Sequence, residues 1–142
     1  MTVRKDLEKK LILFLIVSSK CSSYDRRVEM NREFVKRIYG TIVEEGSSTY
    51  RELYETTTIT EHTVDYWKKA IGLYQTFDDD KKEIFNDILK QTIIDTISSV
   101  FGILDGSSTL SGGNFEFDIK INGVDTENEL QDTFLVFVEE NI

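Results

Sequence analysis

Apolar and polar positions alternate most plainly near the C-terminal end. Phe115, Phe117, Ile119 and Ile121 take turns with Glu116, Asp118, Lys120 and Asn122, the period-two rhythm of a half-buried strand. Asn122-Gly123 follows, a dipeptide that readily takes the two positive φ values of a hairpin turn. Only Val124-Asp125 are available to return, so the partner strand is very short or comes from elsewhere. Thr126-Glu127-Asn128-Glu129 has the form of a capping box, which predicts a last helix with Leu130, Phe134, Phe137 and Val138 on its apolar side. Residues 105–113 (DGSSTLSGG) form the clearest loop of the chain.

Upstream the period changes to that of helices. From Asp25, the residues Val28, Val35, Ile38, Tyr39 and Ile42 recur at helical spacing until Gly46. The other face carries Arg26, Arg27, Glu29, Arg32, Glu33, Lys36 and Arg37. Glu33 and Arg37 stand in the favourable i,i+4 order, so this face is expected to be a salt-bridged solvent face. Ser47 or Ser48 is placed to cap a short helix from Thr49 to about Glu55, which the β-branched residues 56–58 should break. Thr60 is placed to cap a further helix with Val64, Trp67, Ile71 and Tyr74. Asp78-Asp79-Asp80 then suits the positive end of a long helix bearing Ile84, Ile88, Ile94, Ile97, Val100, Phe101 and Leu104. At the start, basic residues precede the apolar run 11–17, with the outline of a secretory signal. Asp6 and Glu8 interrupt its basic region, and seven apolar residues are too few to span a membrane, which takes about 20. An amphipathic helix that becomes apolar all round is expected there, followed by a polar break over 18–23. The fold class predicted is α+β, mainly α. A helical bundle holds a small β element at about 114–125 before a C-terminal helix, in a single domain over 1–142.

Composition narrows the classes. The chain has 142 residues, 39% of them hydrophobic, which is enough for one core and too rich for a disordered segment. Cys21 is the single cysteine, so no internal disulfide or thiolate cluster is available and a cytoplasmic setting is expected. The net charge of -9 argues against a phosphate-dominated nucleic-acid binder. That charge is concentrated. Residues 1–104 hold 17 acidic and 16 basic residues, whereas 105–142 hold nine acidic residues and only Lys120, a net of -8. A near-neutral helical body therefore carries an acidic loop-strand-helix end. Such a block is either a solvated face or a surface for a basic partner.

One stretch resembles a known motif. Residues 49–70, with Leu53, Tyr54, Thr58, Ile59, Val64 and Trp67, resemble bacterial helix-turn-helix segments of the form YRELAxxxGISxxTVxxW. The resemblance implies a first helix ending near Glu55, a turn over 56–59 and a second helix after Thr60. Its DNA-facing residues would be Thr60, His62, Tyr66, Lys68 and Lys69. Tyr54 stands where the motif has a small residue and Thr58 where it has a turn glycine, and Glu61 and Asp65 would face phosphates.

Other chemistry is sparse. Asp105, Ser107, Thr109, Ser111 and Glu116 fall at calcium-loop spacings, but the glycine such a loop needs is Leu110 and a strand follows instead of a helix. His62 is the single imidazole, with no sequence signal for a nucleophile beside it. The carboxylate runs 78–80 and 139–140 read as helix-end charge. No catalytic residue, metal or cofactor is therefore expected, and no enzyme. Ile103-Leu104-Asp105-Gly106, with Leu130-Gln131-Asp132 and Val138-Glu139-Glu140, resembles the end of small uncharacterised bacterial proteins. That resemblance implies a helix–loop–strand–helix ending, with 105–106 and 130–132 shaping a loop or an interaction surface.

The function expected is a small cytoplasmic protein-binding module, of immunity or inhibitor type. It would meet a basic protein through Asp105, Glu116, Asp118, Asp125, Glu127 and Asp132. A DNA-binding role of 49–70 is the alternative. The aromatic content also permits a homodimer, and no membrane partner is expected.

Overall fold

A computed structural model describes residues 22–113 and 115–141. The apolar run 11–17, the first part of the polar break and Cys21 lie outside the described residues. Helix α1 covers 22–38, so Ser22 and Ser23 are helical and are not part of a break. It passes through one π-helical stretch, Tyr39–Glu44, directly into α2, Glu45–Thr56. Gly46 therefore does not stop the helix, and neither Ser47 nor Ser48 opens a new one. A glycine inside a helix costs only about 1 kcal/mol, and the Ser47 hydroxyl donates back to the Val43 carbonyl.

The π stretch has a packing reason. Val35, Tyr39 and Val43 are all buried on one side. Steps of four residues in an α-helix overshoot a full turn by about 40°. The wider π turn offsets that drift and keeps Val43 in line with Tyr39.

Thr57 is extended, with φ -71° and ψ 124°, and ends α2 as the β-branched run predicts. Helix α3 runs Asp65–Gln75 and α4 runs Asp79–Leu104. Asp78 caps α4, its carboxylate accepting the Lys81 N–H at 3.0 Å and the Lys81 ammonium at 2.6 Å. After the loop, β1 (Lys120–Ile121) and β2 (Val124–Asp125) pair antiparallel, with Lys120 opposite Asp125 and Ile121 opposite Val124. Asn122 and Gly123 take φ values of 52° and 77°, the two-residue turn that the dipeptide predicts. Helix α5 is Leu130–Glu139. The fold is α+β and mainly α, with the small sheet just before the last helix.

The capping box is not formed. Glu129 precedes α5 without a side-chain cap, and Thr126 is buried. Glu127 and Asn128 instead take φ values of 54° and 59°, and the Thr126 carbonyl accepts the Glu129 N–H at 3.2 Å. Two left-handed residues make a tight turn here, and a distant residue supplies the cap of α5.

Two apolar cores share α4. Its C-terminal half brings Ile94, Ile97 and Phe101 against Val35, Tyr39 and Val43 of the long helix and Leu130, Phe134 and Val138 of α5. Its N-terminal half brings Phe85 and Leu89 against Tyr54, Ile71 and Tyr74. Tyr54 sits among rings, with centroids 5.3 Å from Tyr74 and 5.5 Å from Phe85. Because α4 uses different faces for the two cores, Ile84, Ile88 and Val100 are exposed despite their helical spacing. Val28, Ile42 and Val64 are exposed as well.

Candidate functional site

The site predicted from sequence is the acidic end, and its first carboxylate is committed internally. Asp105 caps the C-terminus of α4. One of its oxygens accepts the Gln131 backbone N–H at 2.7 Å, so this residue supplies the cap that α5 lacks locally. Burial pushes the Asp105 carboxyl up, against the pull of the Gln131 and Leu130 N–H groups; neighbouring Asp132 pushes it further up.

Gln131 is the second half of this junction. Its amide donates to the Ser98 carbonyl at 3.0 Å and accepts the Ser107 hydroxyl at 2.7 Å. The same hydroxyl lies 3.1 Å from the Gly102 carbonyl. A Cβ on Gly102 would stand 2.7 Å from the Gln131 amide nitrogen, so any larger residue there would displace the Gln131 amide. Asp105 and Ser107 thus direct their oxygens at α5 and not into a calcium-loop interior. The 105–106 and 130–132 pairs are one structural joint.

The rest of the acidic end divides in two. Glu127 and Glu129 face Arg27 of α1 at 3.7 and 3.3 Å, and Glu140 pairs with Arg32 at 2.5 Å. Asn31, buried beside them, donates to the Thr126 carbonyl at 3.1 Å. The basic face of α1 therefore docks part of the acidic end onto the body. Asp125 accepts the Glu127 N–H at 2.8 Å and lies opposite Lys120. Asp118 pairs with Lys120 at 2.9 Å across an exposed surface. Among the described residues, Glu116 and Asp132 make no ion pair.

Glu116 lies in an open cleft of about 500 Å³ between the end of α4, the loop and residues 115–117. Leu104, Leu110, Phe115 and Phe117 supply apolar walls, and Asp105 lies on the same cleft. Phe115 is 68% exposed. Residues 115–119 carry no helix or turn; of the predicted strand, Lys120 and Ile121 pair with β2, and the Ile119 carbonyl accepts the Thr126 N–H at 3.0 Å. The two-residue return is too short to reach further. Among the described residues, the backbone of 115–118 has no hydrogen-bond partner. The alternation of 115–121 pointed to a strand; the open backbone followed from the length of its return.

The helix-turn-helix geometry differs from its expectation. The connection between α2 and α3 is 57–64, longer than a helix-turn-helix turn, and the second helix starts at Asp65 and not after Thr60. Thr60 lies in the connection, its N–H donating to the Thr63 hydroxyl at 2.9 Å. His62 is in the connection too, 3.4 Å from Glu61 and almost wholly exposed. Tyr66 and Lys69 are exposed on α3. Lys68 donates to the Glu61 carbonyl at 3.0 Å and lies 3.8 Å from Asp65. Tyr54, in the place of the motif's small residue, fills the second core and spaces α2 from α3. The five residues share a surface with Glu61 and Asp65 and do not converge into a basic patch.

A second polar cluster lies at the other end of α4. Tyr74 donates to Glu55 at 3.2 Å and accepts from Asn86 at 3.3 Å, and Arg51 bridges Glu55 and Glu83. Arg51 offsets one of the two carboxylate charges within a structural ion-pair network. No helix among the described residues is long and apolar enough to cross a membrane. Comparison with protein-family models, curated proteins and solved structures returned no match.

Proposed function

We propose that this chain is a small protein-binding module that receives a basic partner at its acidic C-terminal third. The observation that carries this reading is the cleft at 103–117, where exposed Phe115 and Phe117 flank an ion-pair-free Glu116. Aromatic anchors beside carboxylates supply the two ingredients of a protein contact, apolar area and electrostatic steering. Glu116, Asp118, Asp125 and Asp132 belong to the contact. Asp105 and Glu127 are engaged by α5 and α1. The acid that burial pushes up, Asp105, is tied to the α5 backbone, which favours binding over acid–base work.

Affinity capture from the source cell tests this reading. The natural chain is compared with a Glu116→Gln, Asp118→Asn, Asp132→Asn variant over a salt series. A basic protein retained at low salt should be lost in the variant, and also near 1 M salt, where screening acts within about 3 Å. Equal retention by both chains at all salt concentrations refutes the acidic surface. Duplex DNA is expected to show no retardation even at low salt, because the α3 surface carries Glu61 and Asp65 beside its lysines.

A further inference from the structure

We propose that residues 115–118 form an open strand edge that a partner completes. The occupant is an extended segment alternating lysine or arginine with apolar residues. The inference rests on the protein-binding reading above and adds the mode of recognition.

Three observations meet at this segment. Residues 115–119 carry no helix or turn and lead directly into β1, whose own partner β2 stops after two residues. Among the described residues, the N–H and C=O groups of 115–118 have no hydrogen-bond partner, and all four residues are exposed. An exposed row of unpaired backbone groups is a template for another strand.

The side chains state the chemistry of that strand. Phe115 and Phe117 alternate with Glu116 and Asp118. Opposite charges directly across a strand pair attract, and like charges repel. A strand with basic residues opposite Glu116 and Asp118 therefore fits. Its apolar residues lie beside Phe115 and Phe117, over the cleft bounded by Leu104 and Leu110. A second copy fits less well, because antiparallel pairing centred on Phe117 sets Glu116 against Asp118. Proteins protect exposed edges with charge; here the protecting charges have one sign, so they repel acidic strands and favour a basic one.

The test uses the full chain and a short synthetic peptide alternating lysine with valine. A second peptide has the same sequence but is N-methylated along one edge. Hydrogen exchange and titration calorimetry are the readouts. The unmodified peptide should slow amide exchange at 115–118. The N-methylated peptide should bind about tenfold more weakly or worse. Phe117→Pro removes one N–H from a backbone that makes no internal bond there, so it should keep the fold and abolish the protection. Phe117→Ala separates loss of the ring from loss of the N–H. Equal binding of both peptides without protection of 115–118 overturns strand addition but leaves the acidic-surface reading standing. Absence of binding by either peptide overturns both. Concentration-dependent protection of 115–118 without peptide, with a dimer in sedimentation, identifies a second copy as the occupant and overturns the basic-strand assignment.

Discussion

At the scale of single residues, the joint between α4 and α5 is where small changes matter most. Gly102→Ala puts a methyl group where the Gln131 amide sits and breaks that amide's bond to Ser98. A loss of about 1 kcal/mol is expected in urea unfolding, the usual net contribution of a hydrogen bond. Asp105 gives a pH signature whose sign is fixed by its environment. Burial raises its carboxyl above the ordinary 3.8. The stability linked to this group is thus fully present below that value and is lost as pH rises through the raised one. Asp78 and Glu33 act in reverse. A hydrogen bond from Lys81 and one from Arg37 hold them below the usual carboxylate range, so what they add is lost on acidification. Comparing pH–stability profiles of the natural chain and Asp105→Asn isolates the first effect. The natural chain should lose stability relative to the variant as pH rises above about 4. Parallel profiles would contradict the buried placement of Asp105.

At the scale of elements, sequence patterns succeeded where one short-range rule decided the outcome. The Asn122-Gly123 turn, the Asp78 cap of α4 and the Glu33–Arg37 pair at 2.8 Å all form as their spacing predicts. They failed where packing overrides a local preference. Gly46 and Ser47 look like a helix boundary, but Tyr39, Val43 and Tyr54 hold the chain helical on both sides of them. The capping box at 126–129 lost to the tertiary pull of Asn31 and Arg27 on Thr126, Glu127 and Glu129. No local signal announces that pull. For the candidate site, the acidity and the alternation of 115–121 were legible. The division of its carboxylates between α1, α5 and solvent was not, because it depends on contacts such as Arg32 to Glu140, far apart in the chain. The π stretch gives a test at this scale. Excising exposed Thr41 should convert Tyr39–Glu44 to ordinary α-helix while leaving Val35 and Tyr54 facing their cores. The aromatic near-ultraviolet dichroism should then survive, whereas excising Arg51, inside α2, should abolish it.

At the scale of the molecule, two cores are joined by α4 and by the continuous helix 22–56. The aromatic core of Tyr54, Ile71 and Tyr74 involves neither α5 nor the sheet. Tyr54→Ala should cost about 3–5 kcal/mol, as large aromatic truncations do. Hydrogen exchange should accelerate across α2 and α3 well before α5. Uniform acceleration would show instead that the cores open as one unit.

The joint at Asp105 and Gln131 also bears on how readily a partner is received. One end of the cleft-forming chain is fastened through Asp105 and Ser107 to α5. The other runs into the hairpin, where Thr126 donates its N–H to the Ile119 carbonyl at 3.0 Å. The chain between these two points is therefore held at both ends. Tethering both ends removes part of the conformational entropy that a free loop would lose on pairing. For a segment of this kind, affinity is governed by preorganisation more than by the number of contacts added. Loosening the joint through Gln131, which does not line the cleft, should therefore weaken binding there.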